Sequence, residues 1–303
     1  MSAAATPASA VERVTDGTDT LGESPIWCAR EQLLYWVDIR APALRARDVR
    51  TGALHTWPLP DLCGAVVLTH EQDLVLAMRT GLFRFDPRTA SLSRLVQPEP
   101  ESFGNRLNET KCDRRGRIWC GTMRDYGAAT TGSLYRISSD LHCERMVRDI
   151  TVPNALCWSP DDTTMYFTDT RDGRIRAYAF DADTGSLGAM RVLAERDAAA
   201  GRPDGAIVDA DGCLWNARYE GGCVLRITPD GRVDRIVSVP ASRVTACALG
   251  GPDLRTLYIT TARQMLTEAQ LAEQPHAGAV FALRVPTPGL AEPRFQIPGS
   301  LPR

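Results

Sequence analysis

The sequence contains no Cys-x-x-Cys pair among its nine scattered cysteines, an odd number that argues against a disulfide framework and a zinc knuckle alike. Most are expected as small buried hydrophobes in a reducing compartment. No stretch approaches the roughly 18 uninterrupted apolar residues of a membrane helix. Basic runs interleaved with aromatics are missing too, and 35 Lys+Arg against 37 Asp+Glu leave a formal charge of -2, which makes nucleic acid a poor partner. Histidine is scarce, and none of His55, His70, His142 and His276 lies in the polar phrases described below. With Gly-x-Ser-x-Gly also absent, nothing suggests a Ser-His nucleophile. Residues Met1 to Val14 are rich in Ala, Ser, Thr and Pro but lack the basic start and apolar run of a secretory signal. They read as a flexible tail on a cytoplasmic protein, with residues 291–303 as a second tail. Helical periodicity is confined to Gln264–Gln274.

What is present is repetition. A turn containing Asp or Gly, a β-rich run centred on a large apolar residue and a second β-rich run recur six times, around Trp36, Leu76, Trp119, Tyr166, Trp215 and Tyr258. The steps between these anchors are 40, 43, 47, 49 and 43 residues, a period that suits a four-stranded propeller blade. Asp161-Asp162, Asp172-Gly173, Asp211-Gly212 and Asp230-Gly231 supply the reversals of an antiparallel meander. A two-sheet sandwich is the alternative, but six near-equal repeats favour radial closure, which protects strand edges. The pattern predicts an all-β, six-bladed β-propeller formed by residues 15–290 as a single domain.

In a propeller the first strand of every blade lines the central channel, so comparable positions of different repeats meet in space. Counting back 11 to 13 residues from five anchors reaches Glu23, Asn108, Asn154, Asp204 and Cys247. Four of the five carry oxygen donors. Two carboxylates and two carboxamides facing one narrow channel are costly to dehydrate unless something pairs with them, and a divalent ion would satisfy them together. Oxygen-only ligands suit calcium, magnesium, manganese or iron, and zinc also accepts carboxylates.

These same phrases resemble the family of senescence marker protein-30 (regucalcin), gluconolactonases and bacterial pentonolactonases. The resemblance runs from about Leu21 to Phe281 and is carried by Leu21-Gly22-Glu23-Ser24-Pro25-Ile26-Trp27, Asn105-Arg106-Leu107-Asn108, Pro153-Asn154 and Pro203-Asp204-Gly205. It implies one divalent metal held by Glu23, Asn154 and Asp204, and substrate oxygens held by Arg106 and Asn108. It also implies that Asp204 moves the proton. Glu109 stands where the family commonly has Asp, and in the short 124–131 loop Asp125 is the approximate counterpart of a substrate-facing lid acid.

The implied activity is metal-assisted opening of a sugar lactone to its aldonic acid, on a small-molecule substrate without membrane or nucleic acid. A calcium-binding or regulatory propeller is one alternative. An esterase or phosphotriesterase using the same metal is another.

Overall fold

The computed structural model describes residues 3–7, 10–17, 19–99, 104–197 and 200–299. Six four-stranded antiparallel sheets stand around one axis. Their innermost strands are Gly22–Cys28, Cys63–Leu68, Asn105–Cys112, Pro153–Trp158, Arg202–Val208 and Val244–Gly250. Each touches the next and the sixth touches the first, which closes the ring. The chain is therefore a six-bladed β-propeller. The anchors fall on the second strand of each blade, where Trp36, Trp119 and Trp215 are essentially fully buried. Flat aromatic and β-branched side chains fill the wedges between twisted sheets.

The described parts of both ends pair with the propeller. Glu12–Arg13 pairs antiparallel with Phe281 and Ala282 and forms the outer strand of the sixth blade. Ala4–Thr6 adds a fifth strand, parallel to Val233–Ser238, on the outside of the fifth blade. Hydrogen bonds between segments near the two ends of the chain thus complete the sixth blade and cover the edge of Phe281–Arg284. In the 291–303 region, Phe295 N–H donates to Leu68 O at 2.9 Å, and both Phe295 and Ile297 are buried. Tail expectations built on polar composition missed these few apolar anchors.

Within the segment expected to be helical, only Glu268–Glu273 is helix, started by a Thr267–Gln270 capping box. Among the described residues no helix is long and apolar enough to cross a membrane.

Candidate functional site

Every innermost strand carries a register irregularity near its start: between Glu23 and Ile26, Cys63 and Ala65, Leu107 and Thr110, Asn154 and Cys157, Pro203 and Ala206, and Val244 and Ala246. Such bulges re-aim side chains. Ile26, Lys111, Cys157 and Ile207 pair with Tyr35, Trp119, Tyr166 and Trp215 of the second strands, and Glu23, Asn108, Asn154 and Asp204 each stand three residues before them, at one register position. Ser24 and Ala155, just after Glu23 and Asn154, take φ values of 51° and 54°, in the left-handed region. At the corresponding turn of the fifth blade is Gly205, where an added Cβ would lie 2.5 Å from the Ala246 Cβ. Cys247 belongs lower in the channel wall, with its thiol directed at Trp215 O, and the bulged residue of the sixth blade is Thr245.

Four of the expected site residues are joined by hydrogen bonds. Asn154 Nδ2 donates to Thr170 Oγ1 at 2.9 Å, and Thr170 donates to Pro203 O at 2.8 Å. That orientation leaves Asn154 Oδ1 to accept from Asn108 Nδ2 at 3.2 Å. Asn108 Oδ1 in turn accepts from Arg106 Nη1 at 2.6 Å, and Arg106 Nε donates to Asp125 Oδ1 at 2.8 Å. Asp125 does not stand free to meet a ligand. Arg40 grips it through Nη2 at 2.9 Å and Nη1 at 3.1 Å, and Arg79 Nη1 lies 3.8 Å away. Its carboxyl is accordingly held below the ordinary value by these guanidiniums against the opposing effect of burial.

Glu23 and Asp204 complete the set. Both are buried, and the carboxyl of each is pushed well up, first by burial and then by neighbouring carboxylates: Glu109 acts on both, and Glu23 on Asp204. Asn216 Nδ2 braces Asp204 O at 2.9 Å and is itself held by Arg218 Nη1 at 3.1 Å, so the backbone carrying Asp204 is fixed from behind.

The sequence reading singled out Glu109 without a role and missed Lys111. Glu109 is buried, raised to about 7 chiefly by burial, and its Oε1 has no hydrogen-bond partner among the described residues. Lys111, two residues on, donates to Ala206 O at 2.7 Å and opposes the charge of Glu109. It is the chain's single lysine, against 34 arginines, and that singularity was a readable signal. Below it, Leu290–Pro293 face Lys111, Cys157 and Ile207 across a cavity of about 40 Å³, so the C-terminal segment covers this end of the channel.

The donor set suits a hard cation. Glu23, Asp204 and Asn154 Oδ1 are all oxygen acceptors with few donors facing them, Asn154 Oδ1 meeting Asn108 Nδ2 and Glu23 Oε2 meeting Ser24 N, and buried carboxylates so placed favour a cation. Among the described residues no three His, Cys, Asp or Glu side chains form a metal-binding group, so a site here depends on Asn154 for its third oxygen.

Comparison with known proteins agrees with this architecture. A protein of Pseudomonas putida named 6-deoxy-6-sulfogluconolactonase is 39% identical over 276 residues, covering 91% of this chain and 94% of its own. An L-arabinolactonase of Azospirillum brasilense is 37% identical, over 95% of this chain and 96% of its own. Among solved structures, a calcium-binding regucalcin from Agrobacterium tumefaciens superposes with a TM-score of 0.93 at 30% identity, covering 97% of this chain and 99% of that one. The pattern of the SMP-30/Gluconolactonase/LRE-like region matches residues 21–263, and the chain belongs to that family.

Proposed function

We propose that this protein is a divalent-metal-dependent lactonase that hydrolyses a sugar lactone to the aldonic acid. The observation that carries this reading is the hydrogen-bonded row Arg106–Asn108–Asn154 ending beside two buried carboxylates, in a channel covered at its far end. Glu23, Asn154 and Asp204 would hold the ion, which supplies a Lewis acid for the lactone carbonyl. Lactone-acting relatives support the substrate class, and their names span a sulfonated hexonolactone and an arabinolactone.

A lactone is an activated ester, so water suffices as nucleophile. In the proposed reaction Asp204 accepts a proton as water attacks the carbonyl carbon. The bond from that carbon to the ring oxygen then breaks, and Asp204 returns the proton to the departing oxygen. The product is a carboxylic acid with a free hydroxyl. Arg106 turns donors toward substrate oxygens: Nη1 is held by Asn108 and Leu107 O, Nε by Asp125, and Nη2 has no partner among the described residues. Burial of Arg106 excludes competing water and strengthens those contacts.

The second reading, a calcium-binding propeller without turnover, is favoured by the similarity to a structure described as a calcium-binding protein. One experiment separates the two. Protein stripped of metal is assayed on a panel of aldonolactones with calcium, zinc, manganese, magnesium or iron restored in turn. Turnover that depends on one added ion supports the enzyme; tight ion binding with every lactone left at its spontaneous rate overturns it.

A further inference from the structure

Around Asp125 three blades contribute one guanidinium each. Arg40 comes from the turn after Leu33–Asp38, Arg79 from the turn after Leu74–Met78, and Arg106 from an innermost strand. Asp125 answers Arg40 and Arg106 with close contacts and Arg79 at 3.8 Å. Asp61 accepts from Arg79 Nε at 3.0 Å and is 41% exposed to water, and Glu23, one of the metal-ligand candidates, also acts on Arg106. At contact distance the three guanidiniums thus share Asp125 and a solvent-screened Asp61. Burial chiefly, and the Arg40 charge after it, push Arg106 down.

Between Arg79 and Arg106 the wall opens into a cavity of about 30 Å³, room for a few water-sized groups. Glu99 also lines it, but its carboxylate is committed to Thr122 Oγ1 at 2.8 Å, Tyr135 OH at 3.0 Å and Asn105 Nδ2 at 3.0 Å. Arg106 Nη2 and Arg79 Nη2 have no hydrogen-bond partner among the described residues, which leaves donors without acceptors.

We propose that the Arg40–Arg79–Arg106 cluster is a subsite for an oxyanion carried by the substrate, making the preferred lactone one that bears a phosphate, sulfonate or carboxylate away from its ring ester. This rests on the lactonase reading and narrows it. A sugar hydroxyl both donates and accepts, and is matched by residues that do the same. Guanidinium only donates, and its planar fork fits the oxygens of a group that only accepts. The row from Arg106 through Asn108 to Asn154 ties this subsite to the metal-ligand candidates, so one substrate can engage both. Tyr126, 75% exposed, lies against Arg40 with its ring 4.6 Å from the guanidinium carbon.

The test compares kcat/KM for D-glucono-1,5-lactone with that for its counterparts carrying phosphate or sulfonate at C6, in metal-restored wild type, Arg79→Ala and Arg79→Lys. Wild type is expected to favour at least one charged lactone by about ten-fold or more at low ionic strength, with the preference shrinking as salt rises. In Arg79→Ala that ratio should fall about ten-fold, mainly through KM, and Arg79→Lys should restore part of it. Arg40→Gln provides a second variant should Arg79→Ala fold poorly. Wild type that opens the neutral lactone as well as or better than both charged ones overturns the subsite and leaves the lactonase reading standing. A ratio that the arginine variants leave unmoved does the same. Loss of both readings together would follow only if no lactone, charged or neutral, were hydrolysed.

Discussion

Arg106 Nε donates to Asp125 Oδ1 at 2.8 Å, and the same carboxylate receives Arg40 through two nitrogens. These contacts suit Asp125 to aiming Arg106, whereas the resemblance implies a substrate-facing acid, and one variant distinguishes the two roles. Asp125→Asn keeps the shape and removes the charge that holds the guanidiniums together. It is expected to raise KM for lactones and to cost about 2–4 kcal/mol of stability, because three partly buried cations lose a shared partner. The slopes of the kcat pH profile should stay as in wild type. If Asp125 instead exchanges protons with the substrate, one limb of that profile disappears in the variant.

Closure of the ring depends on chain ends whose sequence looks featureless. Phe295 has no exposed surface and packs with Ala65, Val67 and Leu107, between the innermost strands of the second and third blades. Phe295→Ala should therefore cost about 3–5 kcal/mol, as for other large buried aromatics, and lower the midpoint of guanidinium unfolding. A variant as stable as wild type would mean that the C-terminal segment is not docked in solution.

Much of the propeller was legible because the blade repeat is long, local and written in Trp, Tyr and turn residues. The channel residues were legible because Glu23, Asn108, Asn154 and Asp204 recur at nearly one distance from those anchors. The count slips at the sixth repeat because its first hairpin is longer: ten residues separate Ala248 from its partner Tyr258, against eight between Ile207 and Trp215, which sent the reading to Cys247 instead of Thr245. The Glu12–Ala282 pairing was not legible. A two-residue strand has no periodicity of its own, and its partner lies at the opposite end of the chain.

At the rim between the first blade and the N-terminal segment, Asp19 faces a cavity of about 260 Å³ together with Trp36, Arg45 and Arg47. Arg45 Nε lies 2.7 Å from its carboxylate and Trp36 Nε1 donates to it at 2.8 Å. Burial nonetheless outweighs both and, with help from Asp38, lifts the carboxyl from 3.8 to about 6. The folded protein therefore holds this proton more tightly than the unfolded chain. Its contribution to stability grows as pH falls from about 6 to about 4 and is absent above that window. Asp19→Asn should abolish it, so the stability difference between wild type and variant should shift toward wild type by about 2–3 kcal/mol between pH 7 and pH 4. Equal pH slopes in the two proteins, or an Asp19 carboxyl resonance titrating near pH 4, would show that the site is hydrated.

Asp204 is assigned two duties, ligand and proton carrier, and one substitution can separate them. In Asp204→Asn the amide oxygen still offers a lone pair to a hard ion but can neither accept a proton from water nor return one to the ring oxygen. The substitution also removes one of the carboxylates that raise each other's affinity for protons, so the metal-free variant should be no less stable than the metal-free wild type. Calorimetry should find an ion still bound, more weakly because one ligand charge is gone, while kcat at saturating ion falls about 10²–10⁴-fold. Saturation has to be verified by thermal shift, since an ion at about 100 times its dissociation constant adds about 2.7 kcal/mol to the folded state. An ion-saturated Asp204→Asn protein that opens lactones near the wild-type rate would move proton transfer to another group. Glu109, buried beside the same carboxylates with an unpartnered oxygen, would then be the residue to test next.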